Sequence, residues 1–285
     1  MNGRSLGQLL DHWRDELAAW AIPEHITAAV TESPWVLPRQ VFARRADRLA
    51  AAPAGLSYRR AWRALDPPGS VLDVGSGAGA ACIPLLPRTT ALTAVDADKE
   101  MLELLASRAS ALAGRVRLVQ GQWPDVAREA APADLVTCFN VVYNVPDLLP
   151  FLAALTASAR RLVVLEMTAE HPLVSMNDLW LRFHGLRRPD GPTVDDLLRI
   201  LAAMGTTAGY ERWQRDSGPD YASFAELVEV TRRRLCLPPE RTPEVARALE
   251  ESDLDPERPA DLGTNRRDVV TIWWAGSAAG SDYLE

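Results

Sequence analysis

Lysine is almost missing from this 285-residue chain: of its 31 basic residues only Lys99 is a lysine, and the other 30 are arginine. A bias so uniform belongs to composition, so a run such as Arg232-Arg233-Arg234 is not by itself a binding signal. Positive charge is also in deficit overall. The formal net charge is −7, which removes the global field that would draw a protein to nucleic acid or to an anionic membrane. Cysteine is scarce, and Cys82, Cys138 and Cys236 show no CxxC spacing, which argues against a disulfide framework or a structural zinc site. The four histidines (His12, His25, His171, His184) form no HExxH pattern, so no metal site is expected. No apolar run approaches the ~18 residues needed to span a bilayer, and no basic segment followed by an apolar stretch opens the chain. A cytoplasmic protein without membrane or nucleic-acid partners is the expectation. With 47% hydrophobic and 24% charged residues, the chain has the means to build an ordinary globular core.

What is present falls into three textures. Residues 1–66 read as helical, with Leu6, Leu9, Leu10, Trp13, Leu17 and Trp20 forming a stripe that Pro34 and Pro38 interrupt before Val41–Leu49 resumes it. From 67 onward short apolar segments alternate with helical ones. Strands are expected at 71–74, 91–95, 116–119, 134–139 and 162–165, with helices at 98–109 and 147–159 between them. That alternation means βαβ units around a parallel sheet, hence an α/β, doubly wound fold. After Glu166 the pattern loosens. A loop-rich stretch at 168–192 is followed by a helix at 193–204, strands at 210–213 and 269–274, and a further helix at 223–236. The expected organisation is an N-terminal helical lid over 1–66, then an α/β domain over 67–285 with helical insertions around 168–192 and 214–265.

The chemistry is concentrated in Val71-Leu72-Asp73-Val74-Gly75-Ser76-Gly77-Ala78-Gly79. Glycines at alternate positions let the backbone turn sharply after a strand and approach a ligand. Asp96 ends the next strand, where a carboxylate can accept hydrogen bonds from ribose hydroxyls. A dinucleotide fingerprint would place a third glycine at position 80, which is Ala80; alanine is tolerated there, so spacing alone leaves an NAD(P)-type site open. Asp73 points the other way. A buried carboxylate repels a pyrophosphate but attracts a cationic sulfonium and its amino group. No GK[ST] of a phosphate loop follows.

These residues, with Asp96 and the segment Ala133-Asp134-Leu135-Val136-Thr137-Cys138-Phe139-Asn140-Val141-Val142-Tyr143-Asn144-Val145, resemble the successive motifs of the class I S-adenosylmethionine (SAM)-dependent methyltransferases, over roughly residues 66–168. The resemblance implies a seven-stranded, mostly parallel sheet with a helical cap. It implies SAM as cofactor and S-adenosylhomocysteine as product. Asp73, Gly75, Gly77 and Gly79 would hold the methionine part, Asp96 the ribose and Ala97 the adenine. After the third strand the family often has an aspartate near the adenine amino group; here Gln122 takes that place, and Trp123 is either a wall for the base or ordinary packing. Asn140 is a candidate for the methionine end. Removing the side chain of Asp96 is expected to weaken SAM binding and leave the fold intact.

Methyl transfer from a sulfonium needs alignment and exclusion of water more than it needs a base. Where a base is needed, His171 and His184 are available, and Tyr143 stands where cofactor and acceptor meet. Glu166, at the end of the fifth strand, either faces a ligand or pairs with an arginine. Trp35, Phe42, Trp180, Phe183 and Trp213 are candidates for an apolar acceptor pocket. An Asn/Asp-Pro-Pro-aromatic tetrapeptide and a Pro-Cys dipeptide are both lacking, which leaves a small-molecule acceptor. The functions outside this reading are an NAD(P)-type oxidoreductase and a protein that binds SAM without turning it over.

Overall fold

The computed structural model describes residues 4–28, 30–31, 33–35, 37–112, 114–215, 218–252, 254–262 and 267–277, so parts of the 214–265 insertion lie outside the described residues. Seven strands make one sheet: β1 Gly69–Val74, β2 Thr89–Asp96, β3 Val116–Gln120, β4 Ala133–Phe139, β5 Ala159–Thr168, β6 Gly209–Arg215 and β7 Arg267–Ala275. Their order is β3-β2-β1-β4-β5-β7-β6. All pairings are parallel except those of β7, which runs antiparallel to both β5 and β6. The central strands read as continuous apolar runs because both faces are covered: every residue from Val71 to Val74 and from Leu162 to Thr168 is buried.

The helices are α1 Leu6–Ala18, α2 Glu24–Thr27, α3 Arg39–Ala51, α4 Leu56–Ala64, α5 Lys99–Arg108, α6 Leu148–Ser158, α7 Asn177–His184, α8 Val194–Ala203, α9 Phe224–Arg234 and α10 Thr242–Glu250. Local signals set several of their starts. Asp98 accepts from the Glu100 and Met101 amides at the head of α5, and Ser5 and Thr193 open α1 and α8 with reciprocal capping boxes. One face of the sheet packs against α1, α6 and α8, through Leu9, Trp13, Phe151, Leu152, Leu155, Leu197 and Ile200. The opposite face packs against α4 and α5, through Ala61, Ala64, Leu102 and Leu105.

A third core lies off the sheet and joins three separated stretches: Ile26 and Val41, then Met176 and Trp180, then Tyr221 through Leu262. Arginines on α3 lock it. Arg45 donates to both carboxylate oxygens of Asp220, Arg48 adds a third contact to Asp220, and Arg44 forks onto Glu226. Asp261 takes Arg234 and the Tyr221 hydroxyl. The arginine run noted above is largely spent here as well, with Arg232 buried on Glu229 and the Leu237 carbonyl. The N-terminal helices are thus shared out: α1 and α4 pack on opposite faces of the sheet, and α2 and α3 belong to the cap.

Both segments expected as helical insertions contain helices. The 168–192 segment, loop-rich in its residues, holds a 3-10 turn at Pro172–Met176 and then α7, and the polar segment after 236 holds α10. The apolar stripe of α10 is only Val245, Ala248 and Leu249, too narrow to stand out among its charges.

Candidate functional site

The carboxyl ends of β1, β2 and β4 meet at the glycine hairpin. Gly75 has φ 68°, and a Cβ there would lie 2.3 Å from Val141 Cγ2, so the hairpin and the segment after β4 touch through the missing side chain. Gly79, at φ 96°, is packed equally tightly on Ile83. The hairpin consumes its own amides. Those of Gly75 and Ser76 donate to the Val95 carbonyl, that of Gly77 to Asp96, and that of Gly79 to the Ser76 carbonyl. Beyond the hairpin the chain enters a short 3-10 segment at Ile83–Arg88 where a dinucleotide site would start an α-helix with free amides toward pyrophosphate.

Under the hairpin lies a carboxylate with unused capacity. Asp73 is 1% exposed; its Oδ1 accepts from Thr137 Oγ1 across the β1–β4 ladder at 2.8 Å, and its Oδ2 has no N–H or O–H partner, with only the weakly donating Cys82 thiol beside the carboxylate. Burial pushes its carboxyl up to about 6, only partly opposed by hydrogen bonds from Thr137 and from the Cys82 thiol, and the Asp96 charge pushes in the same direction as burial. The buried Ser76 hydroxyl, next to Gly75, likewise lacks a partner. A cation carrying hydrogen-bond donors relieves both deficits, and a pyrophosphate would worsen the first. The residues therefore fit the amino and sulfonium groups of SAM.

Asp96 is held in advance. Its Oδ2 accepts from the Gly77 amide at 2.8 Å and its Oδ1 from the Asp98 amide at 2.9 Å, which leaves each oxygen a further lone pair for a ribose hydroxyl. The same bonds mean that Asp96 supports the hairpin as well as a ligand, so its removal is not neutral for local structure. Beside it Ala97 is exposed, and so is Gln122 after β3. Trp123 is buried in the α6 side of the core with its indole N–H on the Phe151 carbonyl at 3.3 Å.

After β4 the backbone turns through Asn140, a non-glycine residue at φ 62°, a conformation that asparagine tolerates better than most. Its Nδ2 donates to Glu166 Oε1 at 3.0 Å, and its backbone amide to the Glu166 carbonyl at 2.8 Å. Glu166 is buried and also takes Arg215 from β6, so it pairs with an arginine, and Arg215 is a participant that sequence reasoning missed. Tyr143 and His171 are brought together, their rings edge to face at 5.6 Å, and Trp20 stacks on His171 at 4.4 Å. His171 Nδ1 accepts from the Leu173 amide at 3.3 Å, which puts the proton of the neutral ring on Nε2. His184 lies elsewhere, in the cap, against Trp180 and the Leu235 carbonyl.

The five aromatics considered for an acceptor pocket are not gathered. Phe42 packs with Ala46, Ala78 and Met101 over the hairpin, Trp180 and Phe183 belong to the cap core, and Trp213 sits over Gly55 with its N–H on Thr271. Trp35 and Trp180 share a cleft with Trp20, but its free volume of about 10 Å³ holds no more than a water molecule. The roomier space is an open groove of about 550 Å³ beyond the ends of β5 and β7. His171, Ser175, Thr193, Asp195, Arg212 and Asp268 are among the residues that line it.

The family comparison agrees with this geometry. Residues 71–162 match the family described as Methyltransferase domain. No curated protein matches the chain in sequence. Among solved structures, the YcgJ protein from Bacillus subtilis is 17% identical with a TM-score of 0.48, over 82% of this chain and 98% of that one. The magnesium protoporphyrin IX methyltransferase from Synechocystis PCC 6803 with bound SAH is 18% identical, TM-score 0.44, over 62% and 78%. The O-methyltransferase TomG from Streptomyces achromogenes in complex with SAM is 15% identical, TM-score 0.45, over 92% and 99%. Residues 71–162 thus carry a methyltransferase domain, which runs through the strands that hold the hairpin, Asp96 and Asn140.

Proposed function

We propose that the protein transfers the methyl group of SAM to a small-molecule acceptor seated in the groove beyond β5. The observation that carries the donor side is the buried Asp73 carboxylate with one oxygen unpartnered beneath the hairpin. SAM, when bound, supplies a methyl group already activated on a sulfonium sulfur, so the chain's own task is to orient and to exclude water. Asp73 and Ser76 hold the amino end, Asp96 accepts from the ribose, and Ala97 and Gln122 flank the base, with Trp123 behind them as packing. Phe42 and Ala46 of α3 cover the hairpin as a lid, and the arginine clasp to Asp220 keeps that lid in place.

The acceptor side rests on adjacency. Tyr143 follows Asn140 by three residues, touches His171, and His171 lines the groove. The walls carry Glu170, Asp195 and Asp268 against Arg212, which is itself paired with Asp195 at 2.6 Å, so a neutral or cationic acceptor suits the groove better than an anionic one. His171 serves here to shape the wall with Tyr143 and Trp20. A net charge of −7 and an arginine run consumed inside the cap support a small molecule over nucleic acid. Among the described residues no helix is long and apolar enough to cross a membrane, which accords with a cytoplasmic enzyme.

The test has two arms. Calorimetry against SAM, S-adenosylhomocysteine and NAD should show binding of the first two alone. Labelled SAM incubated with fractionated small metabolites should transfer label to a neutral or cationic compound; transfer confined to an RNA or protein fraction would overturn the acceptor reading while leaving the donor reading in place.

A further inference from the structure

Asn140 follows β4 directly before Val141, the residue that packs on Gly75 of the hairpin, and its amide can present either a donor or an acceptor. Glu166 decides which. A carboxylate only accepts, so the Asn140 group at 3.0 Å from Glu166 Oε1 is the NH₂, and the atom left over is Oδ1. Among the described residues Oδ1 has no hydrogen-bond partner, whereas the backbone amide of Asn140 is anchored to the Glu166 carbonyl. Arg215, reaching across from β6, binds the same Oε1 and neutralises a carboxylate that is only 6% exposed.

We infer that Glu166 and Arg215 are positioning residues that hold the Asn140 amide with its oxygen toward the donor, so that the crevice presents acceptors alone to the ammonium of the methionyl group. This rests on SAM as the donor. Asp73 Oδ2 and Ser76 Oγ are buried without a hydrogen-bond partner, and the Asn140 oxygen is left over once its NH₂ is bound to Glu166, so on this inference all three are acceptors offered to a cation with three N–H bonds. The buried Glu166 contributes direction without contributing net charge, because Arg215 cancels it. Neither residue needs to touch the donor.

The experiment measures affinities of the full chain for SAM, S-adenosylhomocysteine and methylthioadenosine, the last of which keeps the nucleoside and lacks the amino-acid end. Glu166→Gln and Arg215→Met should weaken SAM and S-adenosylhomocysteine about tenfold each and leave methylthioadenosine within twofold, and Arg215→Lys should restore most of the loss. If Arg215→Met does not fold, Glu166→Gln against Arg215→Lys carries the comparison. Equal weakening of all three ligands would show a merely structural role and overturn the inference. So would unchanged affinity for all three. A wild-type chain that binds none of them would remove the donor reading itself, an outcome separate from either of these.

Discussion

The two ends of the sheet's carboxyl edge are built on different terms. At β1, β2 and β4 the site is made by short-range geometry: a strand, a hairpin that uses its own amides, and carboxylates one strand apart. At β5, β7 and the cap, the walls come from segments far apart in the chain, joined by ion pairs such as Arg45–Asp220 and Arg215–Glu166. The first end has a fixed ligand chemistry because unpartnered groups are already in position. The second has a shape and a charge balance that other pairings could supply equally well. Such a division suits an enzyme whose donor is constant and whose acceptor is set by added segments.

Substitutions at the two ends should separate these modes. Gly75→Val combines left-handed strain with a clash on Val141 and should cost about 4 kcal/mol in all, melting the hairpin and abolishing SAM binding. Normal binding in calorimetry would show that the contact is not close. Arg45→Met should be next, at about 3 kcal/mol, because it leaves the buried Asp220 with Arg48 as its remaining cationic partner and one fewer pair of hydrogen bonds. Burial raises the Asp220 carboxyl, but its hydrogen bonds and charge pairing with Arg45 outweigh that and hold it below the usual range. Its contribution is therefore present above the unfolded pKa and lost as pH falls through the lower folded one. Proteolysis should open the cap of this variant while hydrogen exchange in β1 and β4 stays slow; simultaneous loss would make the two regions one cooperative unit.

Asp96→Ala should cost about 2 kcal/mol of stability, since the Gly77 and Asp98 amides lose their acceptors, besides weakening SAM. That differs from an effect confined to the ligand. Asp73→Asn should do the reverse. The rise of its carboxyl from 3.8 to about 6 corresponds to about 3 kcal/mol carried by the ligand-free protein at neutral pH. The folded form holds the proton between those values while the unfolded form has released it, so stability falls as pH rises through that window and then levels. Asp73→Asn should leave the ligand-free melting temperature unchanged or higher, yet bind SAM about tenfold more weakly. Wild-type affinity for SAM should itself drop on acidification below about 6, since a neutral Asp73 offers the cation less. A melting temperature lowered by Asp73→Asn would show that the carboxylate is compensated in a way this geometry does not contain.

Much of the donor end was legible in the residues. The strands expected at 71–74, 91–95, 116–119 and 134–139 lie within the observed β1 to β4, and Asp98 caps α5 where a cap was expected. Glycine spacing and a lone acidic residue are local signals with a local cause. Ser76 was open to the same reasoning, as a hydroxyl between two glycines, and went unnoticed. The acceptor end was not legible. Arg215 reads as one more charge at the end of an edge strand, where charges are ordinary, and nothing nearby in sequence ties it to Glu166. Trp20 closes an amphipathic stripe and so reads as core, although its ring stacks on a histidine in a segment remote from it. The aromatics of the cap were visible as residues, but their separation into the hairpin cover, the cap core and the Gly55 contact depended on packing alone.

The sequence by itself determined the alternation of strands and helices, the hairpin with its left-handed glycines, and the carboxylates at the ends of β1 and β2, because each follows from backbone sterics or from hydrophobic period over a few residues. Only the tertiary structure decided that Asp73 keeps one oxygen unpartnered, that Asn140 is turned by Glu166, and that His171 meets both Tyr143 and Trp20. Those are relations between side chains brought together by folding. Hydrogen-bond satisfaction is settled by whatever neighbour arrives, not by the residue that waits for it.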